Sequence, residues 1–333
     1  MNKLNRVQNV AFELICKDAL FLLTLVDIYK NCKNINNNYI SMAIPYIGIF
    51  ADGAEQWGRK VGLNINKFTD EEKVYYSTIR NGHKLYEKSY LELKDKLQEK
   101  FNESNEYFYN ARSALEKIIG YKNFGVDIVK NKYCGNTILC ASYIPFSQFD
   151  SNSGFRLQKL SKVAGRISAF YCGKTAMPYT YNQFLICTYK DFHFNKNSPI
   201  KIESFDGFIL FSILCSINYV IIFIENFFTE EIVQKFKFAY LQYYYLCEFV
   251  KEINLNTDYE LILNNSLYDT KFRNCLAHYG LGQYLKESDL KEDDLLKGLT
   301  IKAFNMNYRD TKNKLYKYLA ECANQIEKVI FKR

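Results

Sequence analysis

Phe208 to Ile224 is a run of seventeen residues without a charge, closed by Asp206 on one side and Glu225 on the other. Seventeen is the lower edge of what a bilayer-spanning helix needs. The run contains Ser212, Ser216 and Asn218 and is flanked by acids rather than by basic or aromatic anchors, which points to a helix buried all round in a bundle, with membrane insertion as the weaker alternative. From about 203 onward the rest also reads as helix. Thr229 as a cap, with Glu230 and Glu231 in the first turn, predicts a second helix through Phe236, Tyr240, Tyr244 and Cys247 to about 253. Phe272, Cys275, Leu276 and Tyr279 recur at i, i+3, i+4 and i+7 and predict a third over about 266–279. Ser266 and Asp269 fit a capping box at its start, and Gly280 a left-handed stop. After an acidic loop (Glu287, Asp289, Glu292, Asp293, Asp294), Leu315, Leu319, Cys322 and Ile326 form the stripe of a last helix from Asp310. Four helices with one apolar stripe each make a bundle.

Upstream, residues 3–31 read as a helix through Val10, Leu14, Leu20, Leu23 and Val26. Asp70 to about Ile119 alternates Glu and Lys and predicts an exposed amphipathic helix or helical pair. Arg80-Asn81-Gly82-His83 lies in this stretch, but the Gly breaks a helical register, so it is not counted as a site. Between 131 and 200, Thr137–Tyr143, Arg166–Tyr171 and Phe184–Tyr189 are short β-branched and aromatic runs separated by Gly, Pro, Asn and Ser, which suggests a small sheet. The expected class is therefore mainly α: an N-terminal helical plus small β region over 1–200, and a helical bundle over 201–333.

Charge divides the chain the same way. The net charge is +8, yet residues 201–333 carry 17 basic and 18 acidic side chains, so the excess lies upstream. Residues 131–200 hold eight Lys/Arg against two Asp, and Arg156, Lys159, Lys162, Arg166 and Lys174 are candidate contacts to an RNA backbone; a solvated basic surface is the alternative. Ten cysteines show neither a Cys-x-x-Cys pair nor a neighbouring His at zinc spacing, as expected of a reduced cytoplasmic protein without a metal or other cofactor. The N-terminal apolar run is short and preceded by acids, unlike a secretory signal.

Lys271-Phe272-Arg273-Asn274-Cys275-Leu276-Ala277-His278 then becomes the informative segment. Arg273, Asn274 and His278 sit beside a buried stripe on the third helix of the bundle, and His is scarce in this chain. This run resembles the R-x4-6-H signature of the HEPN superfamily, and the similarity covers about 130 residues at the C-terminus. The resemblance implies a metal-independent endoribonuclease of the toxin or phage-defence type, cutting single-stranded RNA by attack of its own 2′-OH. His278 suits proton transfer, and the planar Arg273 guanidinium suits a phosphate gaining negative charge. Asn274 would orient His278 or the phosphate. A single His cannot readily serve as base and acid together, and the family's two-fold homodimers solve this by joining two motifs. RNA, a second copy of the chain, and an antitoxin or other defence-system component are the expected partners; a membrane is not. The competing reading is a HEPN-like module that binds RNA or a partner, or oligomerises, without catalysis.

Overall fold

The computed structural model describes the chain except residues 1–3, 64–68, 71, 74–78, 81, 144–153, 174, 195, 203, 281–283 and 332–333, together with the side chains at 37, 83 and 154–161. It is mainly helical with a small antiparallel sheet. α1 (Arg6–Asn31) starts on a capping box in which the Asn5 side chain accepts from the Gln8 amide. α2 (Asn37–Val61) has Pro45 inside it and ends on Gly62 in the left-handed conformation. A 3₁₀ turn (His83–Glu87) leads to α3 (Tyr90–Tyr107), and α4 (Ala114–Ile118) follows. Ser89 with Glu92 and Ser113 with Glu116 cap these two helices, so the charged stretch is partly helical as expected.

The sheet has the order β2-β1-β3, from β1 (Asn123–Val129), β2 (Lys132–Asn136) and β3 (Cys187–His193). Lys130 and Asn131, both at positive φ, turn β1 into β2, the backbone that a two-residue hairpin with right-handed twist requires. Only Cys187–Tyr189 of the three expected β runs lies in a strand. Thr137–Tyr143 is α5, whose start is held by the Asn136 side chain accepting from the Leu139 amide. Arg166–Tyr171 belongs to α6 (Gly154–Cys172), where Val163, Ala164, Ile167 and Tyr171 are buried at helical spacing. A six-residue window was too short to separate that period from alternation.

α7 (Phe205–Phe227) carries the long apolar run and includes a π-helical turn, Tyr219–Ile224. Its length and composition would allow it to cross a membrane, and 89% of its most apolar stretch is buried within the protein. α8 (Val233–Asn256) starts later than the Thr229 cap predicts, because Glu230 instead accepts from the Thr180 amide and hydroxyl, and Glu231 pairs with Lys312. α9 (Thr270–Ala277) bears the motif. α10 (Leu295–Phe304), capped by Asp294, emerges from the segment beyond the acidic loop, and α11 (Tyr308–Phe331) closes the chain. One contiguous set of buried side chains runs from Val10 on α1 to Ile330 on α11, so residues 1–200 and 201–333 share a core.

Asp127 on β1 is fully buried, accepts from the Asn36 amide group and leaves Oδ2 without a partner. Burial raises its pKa to about 6, against hydrogen bonds from Asn36 and Asn38 that lower it. A native-state pKa above the unfolded value means the folded protein binds the extra proton. Asp127 therefore lowers stability as pH rises from about 4 to about 6, and the cost stays constant above that. We expect Asp127→Asn to be more stable than the wild type at pH 7.5 and to lose that advantage near pH 4, by urea unfolding at both pH values. An advantage independent of pH would show that the carboxylate charge is not its source.

Candidate functional site

α9 is fixed from below by tyrosines of α8. The Tyr240 hydroxyl donates to the Leu267 carbonyl at 2.9 Å and accepts from the Asp269 amide at 3.2 Å, while the Tyr243 hydroxyl donates to the Asn264 carbonyl at 2.7 Å. Asp269 is the cap, its side chain accepting from the Phe272 amide at 2.6 Å, so the helix starts later than the Ser266 signature suggested. Phe272, Cys275, Leu276 and Tyr279 are all buried, as their spacing predicts. The helix ends at Ala277, leaving His278 at its C-cap, and Tyr279 and Gly280 both take left-handed backbone.

Tyr279 is anchored far from its own helix. Its hydroxyl donates to Asp18 of α1 at 2.6 Å; Asp18 also accepts from Gln234 at 2.7 Å and pairs with Lys237, both on α8. All four side chains are buried, and the Lys237 ammonium lies 4.5 Å from the Phe50 ring centre and 4.6 Å from that of Tyr279. A non-glycine residue in left-handed backbone needs such restraint. The residue beside His278 is thus tied to the centre of the fold.

α2 forms one wall of the site. A β-carbon at Gly53 would stand 2.4 Å from the Ala277 carbonyl oxygen, and one at Gly48 would stand 2.6 Å from the Arg80 amide. These two glycines let the end of α9 and the Arg80 backbone lie directly on α2. The result is a small cleft lined by Ile49, Asp52, Arg80, Lys84, Tyr245, Arg273, Ala277 and His278.

Arg273 and His278 therefore meet in one cleft. The Arg273 side chain is 17% exposed. Its guanidinium lies 5.6 and 5.2 Å from the Tyr244 and Tyr245 ring centres, donates to the Tyr245 hydroxyl, and stands 3.6 Å from Glu87. Asn274 is exposed and its carbonyl oxygen accepts from Arg273 Nη1 at 2.9 Å, so its side chain orients Arg273 and not His278. Arg273 Nε and His278 Nδ1 are buried without a hydrogen-bond partner. Burial holds the His278 imidazole below its usual pKa; Arg80 and Arg273 push the same way and Asp52 opposes them. Burial also raises the Tyr245 phenol, against the pull of Arg273.

Of the basic candidates upstream, Lys162 and Arg166 are described, both on α6. Arg166 forms a two-pronged pair with Glu72 at 2.8 and 2.9 Å, which removes it from the free cations that could meet RNA. Lys162 is exposed on α6, while the Arg156 and Lys159 side chains and Lys174 lie outside the described residues. Asp52, Arg80 and Lys84 were missed as site residues. Arg80 carried a visible signal, its Arg-Asn-x-His echo of the motif, but nothing in the spacing says that it folds against His278. Among the described residues, no group of three His, Cys, Asp or Glu side chains is placed to hold a metal ion. No protein-family model, curated protein or solved structure matches the chain.

Proposed function

We propose that the protein is an endoribonuclease of the toxin or phage-defence type, with a HEPN-like C-terminal bundle and with Arg273 and His278 as its catalytic pair. The observation that carries this reading is their convergence in one cleft, each with a buried nitrogen unpartnered, around an imidazole that burial and two arginines push toward its neutral form. A neutral imidazole is the form that accepts a proton. The RNA 2′-oxygen attacks the adjacent phosphorus, its proton passes to His278, and Arg273 neutralises charge on the non-bridging oxygens. The bond from phosphorus to the 5′-oxygen breaks, and that oxygen takes a proton from a second His278 in its imidazolium form, supplied by another copy of the chain in a two-fold dimer; that imidazole is left neutral, and the first is left as the imidazolium. Asn274 keeps the guanidinium oriented.

A second reading, a phosphate-binding or oligomerisation module without catalysis, is favoured by the contacts that already hold Arg273 to Tyr245 and Asn274. The two separate on end-group analysis. Purified protein is expected to cut single-stranded RNA in EDTA and leave 2′,3′-cyclic phosphates, which the module reading does not allow. Cleavage strictly dependent on a divalent ion would overturn the mechanism, and RNA binding without cleavage would favour the module.

A further inference from the structure

We propose that the site has a second cationic half supplied by the N-terminal part of the same chain, in which Arg80 and Lys84 bind a phosphate group facing Arg273 and His278. This rests on reading Arg273 and His278 as the phosphate-handling pair, and adds the residues that would hold the substrate there.

Arg80 is built into the cleft. Its backbone packs on α2 where Gly48 has no side chain, and its Nη1 pairs with Asp52 at 2.6 Å. Asp52 is in turn held by Gln56 Nε2 at 2.7 Å. That pair uses one of the five guanidinium N–H donors and fixes the plane of the rest. Lys84, on the 3₁₀ turn, is exposed and forms no ion pair among the described residues. Among the described residues, three cations, Arg80, Lys84 and Arg273, thus stand at the cleft against two carboxylates, Asp52 in its wall and Glu87 near Arg273. An excess of cations at a concave site attracts an anion, and the buried Arg273 Nε–H has no acceptor. A phosphate group would answer both.

The probe is inorganic phosphate, titrated into the full chain while the His278 imidazole is followed by NMR. A bound dianion favours imidazolium, so phosphate should raise the His278 pKa in the wild type. Lys84→Glu, at an exposed position, leaves the fold intact and should weaken the phosphate-dependent change at least tenfold, and Arg80→Gln should act likewise. The phosphate-dependent difference is the readout, because Lys84→Glu alone also changes the field at His278. With an all-2′-O-methyl oligoribonucleotide, which cannot be cleaved, Lys84→Glu should also lower the salt dependence of binding by about one unit of slope. No phosphate effect in the wild type, or equal effects in wild type and Lys84→Glu, would overturn the proposal. Phosphate binding that depends on Lys84, with RNA left uncut, would uphold it while removing the endoribonuclease reading.

Discussion

Asp18→Ala should lower stability by about 3–5 kcal/mol, the loss typical when one partner of a buried ion pair is removed. Lys237 has no exposed surface and Asp18 is its carboxylate partner, so truncation leaves an ammonium in the core between the Phe50 and Tyr279 rings. It also strips an acceptor from Gln234 and from the Tyr279 hydroxyl. Guanidinium unfolding of Asp18→Ala and of the double variant Asp18→Ala/Lys237→Met isolates the cause. The double variant removes the uncompensated charge and should recover part of the loss, since buried pairs are often replaceable by apolar residues of similar volume. A loss below about 1 kcal/mol for Asp18→Ala would mean that water reaches Lys237. The consequence extends to the site, because Tyr279 follows His278 directly and its left-handed backbone is held by this hydroxyl. The His278 NMR signal should therefore broaden or move in Asp18→Ala under conditions where the protein is still folded.

How far the chain could be read depends on whether a signal was local. The stripe Phe272, Cys275, Leu276 and Tyr279 repeats with one helical period and is buried as expected, and the uncharged run Phe208–Ile224 lies inside the fold. Residues 6–31 carry both a cap and a periodic face. Elsewhere tertiary packing overrode composition. Thr137–Tyr143 is rich in residues that suit strands, yet an Asn136 cap and near-complete burial make it helix. β1 contains Gly125 and Asp127, which propensity disfavours, and is a strand because it pairs on both edges. α2 was illegible as an element of the site: Pro45, Gly48 and Gly53 look like breakers, whereas the two glycines are sites of close backbone approach. The pairing of Arg80 with Asp52 and the cleft they share with His278 arise from folding alone, and no periodicity announces them.

His278→Ala should reduce RNA cleavage by roughly 10²–10⁴-fold, the usual worth of a positioned general base, with little change in unfolding midpoint because the side chain is partly exposed and its Nδ1 has no partner to lose. Arg273→Ala differs: it also releases the Tyr245 hydroxyl and the face of Tyr244, so Arg273→Lys is the better test of charge without the planar fork. Both Ala variants should relieve any growth inhibition seen on expressing the wild type in bacteria; equal toxicity of both with wild type would show that the site lies elsewhere. The pH profile then separates a base from a merely structural imidazole. Burial and two arginines hold the His278 pKa below its ordinary value of about 6.5, so the acid limb of kcat/KM should fall below that pH. Asp52 opposes the depression, and removing its charge in Asp52→Asn should move the limb further down, leaving activity at lower pH than in the wild type. Arg80→Gln, which removes the cation on the other side of that pair, should move it up. Opposite displacements of one limb by two neighbouring charges are what a titrating His278 requires. An acid limb that stays fixed in both variants would assign the essential base to another residue.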